Sequence, residues 1–115
     1  MLSAIAIGLT LASVAGAHAF LDHAAPAVGS TVRGPLAQVR VWFTQRLEPA
    51  FSTVRVLDRS GKQIDNSDAR LDPADATMLL VSLPKLAPGT YTVVWRVLSL
   101  DTHVSEGDFT FDVAP

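Results

Sequence analysis

The sequence predicts an all-β protein, a single antiparallel Greek-key β-sandwich or barrel. Three observations point there. Short apolar stretches alternate inward and outward with a period of two residues, and clusters of Pro, Gly and Asp punctuate them. No stretch beyond the first 17 residues carries the periodicity of an amphipathic helix. Strands this short and this regularly interrupted, in a chain of 115 residues, suit one two-sheet domain.

Residues 1–17 stand apart from the pattern. Met1 to Gly16 holds no charged residue, and Leu2 to Ala12 is a largely apolar run of the length found in secretory signals, shorter than the roughly 20 apolar residues of a membrane span. The basic segment that normally opens a signal is missing, which leaves a start further upstream, an atypical leader or an N-terminal anchor as competing readings. Two small-x-small sites follow, Ala15-Gly16-Ala17 and Ala17-His18-Ala19. Pattern alone does not choose between a cut after Ala17 and one after Ala19. The expected organisation is a signal peptide over 1–17 and one domain over 18–115.

Within that domain, Phe20 and Leu21 open a short first strand, and Ala24 to Ser30 forms a turn region in which Pro26 ends regular pairing. Val39 to Thr44 places Val39, Val41 and Phe43 on one face and Arg40, Trp42 and Thr44 on the other. Ser52 to Asp58 repeats the pattern with Val54 and Val56 inward, and Asp58-Arg59-Ser60-Gly61 closes it with turn chemistry. Lys62 to Pro73 is polar and reads as a loop with one extended piece around Ile64. Thr77 to Leu83 is a continuous apolar run, long enough for a strand and too short for a helix. The turn Ala87-Pro88-Gly89-Thr90 launches Tyr91 to Val97, rich in β-branched and aromatic residues, with Tyr91, Val93, Trp95 and Val97 on one face. A loop from Leu98 to Glu106 leads to the last strand, Gly107 to Val113, where Phe109, Phe111 and Val113 point to one side.

Composition excludes several functions. Without cysteine the chain has no disulfide, no thiolate ligand and no acceptor for a lipid anchor, so export rests on the leader alone. Nine basic and eleven acidic residues are scattered, for a net charge of -2, which argues against a nucleic-acid or anionic-membrane surface. No Cys…Trp…Cys framework of a true immunoglobulin domain exists, and no hydrophobic tail follows Val113, so the mature domain is expected to be soluble and untethered.

The candidate metal ligands are His18, His23 and His103 with the carboxylates Asp22, Glu48, Asp101, Glu106 and Asp108. Singly, each histidine is an ordinary surface or turn residue. Spacing singles out Asp101 and His103, which an extended segment would project to the same side. A sandwich that sets its first strand beside its closing strands would bring His18 near that loop. If the leader is cut after Ala17, His18 offers a metal both its free α-amine and its imidazole. An amine, two imidazoles and a carboxylate oxygen suit tetragonal Cu(II). Cu(I) prefers sulfur donors, and here Met1 leaves with the leader while Met78 lies in a core strand. Zn(II) competes for the same imidazoles, but its tetrahedral habit gains less from a chelating amine–imidazole pair. The amine, with a pKa of about 7.7–8.0, must lose its proton to bind, so affinity should fall on acidification.

Several segments, in order, carry a resemblance: His18-Ala19-Phe20-Leu21 with Pro26-Ala27-Val28-Gly29-Ser30, then Val41-Trp42-Phe43-Thr44-Gln45, then Leu86 to Arg96, then Ser99-Leu100-Asp101-Thr102-His103. Over essentially the whole mature chain they resemble the CopC family of copper-resistance proteins. The resemblance implies a periplasmic β-barrel of immunoglobulin-like or cupredoxin-like topology that carries or buffers one Cu(II) per chain and is not an enzyme. Position by position, it implies a histidine brace made by His18, Asp101 and His103. It also implies a CopD-type inner-membrane copper transporter as partner; a monomer is expected. Gln45 stands where some members have a glutamate and cannot supply a charged ligand, and the chain lacks the methionine-rich Cu(I) loop of others. His23 inherits no family role and reads as a solvated neighbour. Glu106 and Asp108 read as solvated faces, and Trp42, Trp95 and Tyr91 as core or strand-surface residues. Ser99, Thr102 and Ser105 are unranked candidates for orienting the imidazoles. The competing functions are a β-sandwich interaction module with incidental histidines and a small brace-type copper monooxygenase.

Overall fold

The computed structural model describes residues 19–115. The expected signal peptide and His18 lie outside the described residues. Eight strands follow in order: β1 (Leu21–Ala25), β2 (Thr31–Val32), β3 (Gln38–Phe43), β4 (Thr53–Leu57), β5 (Arg70–Asp72), β6 (Asp75–Ser82), β7 (Gly89–Leu98) and β8 (Val104–Val113), with a 3₁₀ turn at Pro49–Phe51 between β3 and β4. They form two sheets, β1-β3-β6-β5 and β2-β8-β7-β4. Pairing is antiparallel except between β2 and β8, which run parallel. The all-β two-sheet prediction holds, and no helix of the described residues is long and apolar enough to cross a membrane.

The two-residue alternation explains the core. Val39, Val41 and Phe43 of β3, Val54 and Val56 of β4, Tyr91, Val93, Trp95 and Val97 of β7, and Phe109 and Phe111 of β8 are all buried. Each such side chain contributes about 1.5–3 kcal/mol relative to exposure. The unbroken apolar run in β6 has a different cause. Leu79 and Val81 enter the core, while Met78 and Leu80 lie on the opposite face beside Trp42 and Arg40 of β3 and are buried there too.

The structure departs from expectation in four places. β1 continues through Ala25, ending at the cis bond before Pro26, instead of giving way to turn at Ala24. β2 and β5 are strands of two and three residues inside stretches read as turn and loop, too short to show a period. The extended piece at Ile64 does form, with its N–H donating to Val56 O at 2.9 Å. The β7–β8 hairpin is longer than expected, because pairing continues through Gly107 to Val104 opposite Leu98.

Gly107 had the look of a strand boundary, yet it faces Trp95 within the ladder. A Cβ built on Gly107 would come within 2.6 Å of Trp95 Cζ2, so the indole occupies the space that a side chain would fill. Trp95 cannot easily retreat, being 8% exposed and packed edge-on against Phe43 at 5.1 Å between ring centroids. Gly107→Ala should therefore overpack the core and cost about 1–3 kcal/mol. Urea unfolding should show a lower midpoint with an unchanged slope; an unshifted midpoint would contradict this account of the glycine.

Candidate metal centre

The Asp101-x-His103 segment is not extended. It belongs to the tight loop that joins β7 to β8, closed by Ser99 N–H donating to His103 O at 3.0 Å and Thr102 N–H donating to Ser99 O at 2.9 Å. Thr102 takes a left-handed backbone conformation, φ 71°, uncommon for a β-branched residue. Turn geometry, not strand pleat, therefore brings the two side chains together. His103 Nδ1 lies 3.4 Å from Asp101 Oδ1. The Ser99 hydroxyl donates to the same Oδ1 and accepts the His103 N–H at 3.3 Å.

The pair is open on one side. Asp101 and His103 side chains keep 47% and 43% of their exposure, so an ion reaches them from solvent. His103 Nδ1 is enclosed. The Ser99 hydroxyl first, and His103 second, hold the Asp101 carboxyl below the usual carboxylate range. It is a ready-made anion at neutral pH.

The connector after β3 joins this loop to the start of the described chain. Phe20 N–H donates to Thr44 Oγ1 and Thr44 N–H to Phe20 O, both at 2.9 Å. Two residues later Arg46 O accepts from Leu100 N–H at 3.1 Å, Leu47 bridges Ser99, and Glu48 N–H donates to Leu98 O at 2.8 Å. The expected neighbourhood of the first strand and the closing strands is thus corrected. β1 pairs with β3 in one sheet, whereas β7 and β8 belong to the other. Ala24 of β1 packs into the core from the β3 side while Asp22 and His23 stay outside. Adjacency at this end of the barrel comes from the connector. Ala19, immediately before Phe20, is fully buried in the core cluster.

The remaining candidates fall elsewhere. His23 stacks on Trp42 with ring centroids 4.2 Å apart, its Nδ1 2.6 Å from Asp22 Oδ2, on the outer face of the β1–β3 pair. Glu106 pairs with Arg96 at 3.3 Å on the exposed face of β8, which also carries Asp108. Glu48 and Gln45 are half-buried in the connector. Trp95 and Tyr91 are core residues. Among the described residues no three His, Cys, Asp or Glu side chains converge, so Asp101 and His103 form a two-donor set. Of the three unranked hydroxyls, Ser99 is the one bonded to Asp101's carboxylate; Thr102 bonds the Asp101 carbonyl, and Ser105 sits opposite Val97.

The fold and this loop define a small two-sheet β-domain that presents one nitrogen and one oxygen donor at one end. The CopC domain matches residues 21–114, and the chain belongs to the CopC family. It is 35% identical over 98 residues to Protein YobA of Escherichia coli (strain K12), covering 84% of this chain and 79% of YobA. With Copper resistance protein C of Pseudomonas syringae pv. tomato it shares 31% identity over 114 residues, covering 94% of this chain and 90% of that protein. The crystal structure of CopC from Methylosinus trichosporium OB3b superposes with a TM-score of 0.79 at 36% identity, covering 85% of this chain and 95% of the other.

Four aspartates cap or brace loops, and each is held below its ordinary range: Asp58 by Ser60 and Lys62, Asp68 by Ser82, Asp75 by Thr77, and Asp101 by Ser99. Their folded pKa values lie below the unfolded value of about 3.9, so their stabilisation is complete above that pH and is lost as pH falls through the folded values. The urea midpoint should owe no slope to these groups between about pH 5 and 8 and should drop below about pH 4. In Asp101→Asn the acid limb should be shallower; an unchanged limb would show that Ser99 does not hold the carboxyl down.

Proposed function

We propose that the chain is an exported, periplasmic copper carrier or buffer that holds one Cu(II) at its loop end and is not an enzyme. The ligands are the His18 α-amine and imidazole, Asp101, and His103 through Nε2. The observation that carries this reading is the Asp101–His103 pair, held by a hydrogen-bonded turn at the end of the barrel where the connector also secures Phe20. Family membership agrees, since relatives bear the name Copper resistance protein C.

The chemistry follows from the donors. One carboxylate oxygen and three nitrogens form a set suited to tetragonal Cu(II), and the chain has no cysteine to favour Cu(I). Asp101 is already ionised at neutral pH, so its binding to copper displaces no proton, whereas the terminal amine must lose one. Release is ligand exchange, and the recipient is a CopD-type membrane transporter. A buried Ala19 favours a leader cut after Ala17, because a mature chain starting at Phe20 would lack a residue of the core.

Intact mass of the exported protein should show His18 as its first residue, and electron paramagnetic resonance of the Cu(II) form should show a tetragonal, nitrogen-rich spectrum that is lost when the amine is blocked. His103→Ala should weaken Cu(II) binding by more than about 100-fold, beyond the 10–100-fold that loss of an outer hydrogen-bond partner brings. A mature protein beginning at Phe20, or wild-type copper affinity in His103→Ala, would sink the reading.

A further inference from the structure

We infer that Ser99 is the positioning residue for Asp101, an inference that rests on the copper-site reading above and assigns a role within it. The Ser99 hydroxyl has one proton and three polar neighbours: Asp101 Oδ1, the closest, His103 O at 3.2 Å and His103 N at 3.3 Å. A carboxylate is the strongest acceptor of the set, so the proton goes to Oδ1. The oxygen lone pairs are then left for the His103 N–H. One hydroxyl thereby ties together both residues that face the metal.

The arrangement also distinguishes the two oxygens of Asp101. Oδ1 is taken by the Ser99 hydroxyl and faces His103 Nδ1, so Oδ2 is the oxygen presented to an incoming ion. A carboxylate that stays half exposed would otherwise sample several rotamers and lose that freedom on binding. Ser99 is well placed to prevent this because it is itself immobilised. It is 1% exposed, it bridges Leu47, and its N–H and C=O are bonded within the loop to His103 and Thr102. Thr102 and Ser105 do not share this position, since one bonds a backbone carbonyl and the other lies on β8 opposite Val97.

The test is Cu(II) affinity by competition titration on the mature protein, with Ser99→Thr and Ser99→Val as the deciding pair. Both have nearly the same shape and volume, so their steric effect on folding is matched, and they differ in a hydroxyl against a methyl; urea midpoints of both variants check that each is folded. Ser99→Val should bind Cu(II) about 10–100-fold more weakly and alter the copper resonance spectrum, while Ser99→Thr recovers most of the affinity. In an Asp101→Ala background Ser99→Val should cause no further loss, because a positioning residue acts only through the group it positions. Equal affinity in the Val and Thr variants, or losses that add in the double variant, would overturn the role of Ser99 while leaving copper binding by Asp101 intact. Wild-type affinity in Asp101→Ala would overturn both.

Discussion

The end of the barrel that carries Asp101 and His103 depends on one short backbone splice. The connector from Thr44 to Glu48 leaves β3 in one sheet and, within a few residues, hydrogen-bonds first to Phe20 and then to Leu100 and Leu98 of the other sheet's hairpin. Leu47, within it, is 1% exposed and caps the core at this end, its N–H donating to Ala76 O at 3.0 Å. Buried apolar mass and satisfied backbone groups therefore coincide in one segment, which is what makes an irregular connection rigid. Without it, β1 and the β7–β8 loop, which belong to separate sheets, would be related only through the packing of the shared core.

The loop built on this support concentrates polar groups that would be costly to bury unpaired. Ser99 lies in the interior and is bonded through its N–H, its carbonyl and its hydroxyl. Thr102 accepts a left-handed backbone that a glycine would adopt with less strain. Strain and buried polarity persist where the surroundings over-determine them, and such places tend to be functional. Here the result is a carboxylate and an imidazole 3.4 Å apart, both facing solvent.

Much of the fold was legible because period-two alternation directly reports a half-buried strand, and β3, β4, β7 and β8 follow it residue by residue. What stayed hidden has physical reasons. β2 and β5 are held by their partners in the sheet and are too short for any pattern of their own. Gly107 reads as a break until Trp95 is seen to fill the space beside it. Spacing singled out Asp101 and His103, and their side chains do lie together, but the cause is a turn centred on Thr102, whose φ a threonine in sequence does not announce. The first strand's partner was misjudged because strand order is a non-local property, decided by which edges find complementary apolar faces. Ser99 was visible as a hydroxyl two residues before Asp101, but ranking it above Thr102 and Ser105 required knowing where each side chain points.

The described domain supplies two donors, one oxygen and one nitrogen. A pair of donors is too few to fill a tetragonal copper site, so in the proposed reading the chelating remainder must come from His18. Division of labour follows from that count. The barrel fixes the position of His103 and of Asp101, whose carboxylate is already charged at neutral pH, and in the proposed reading proteolysis would create the other half by converting the nitrogen of a peptide bond into an amine. An amide nitrogen is a poor donor and carries no lone pair free for a metal, whereas a terminal amine with its own imidazole forms a chelate. In that reading copper affinity would be coupled to export, since the precursor would hold only the half-site of the barrel and the processed protein both halves.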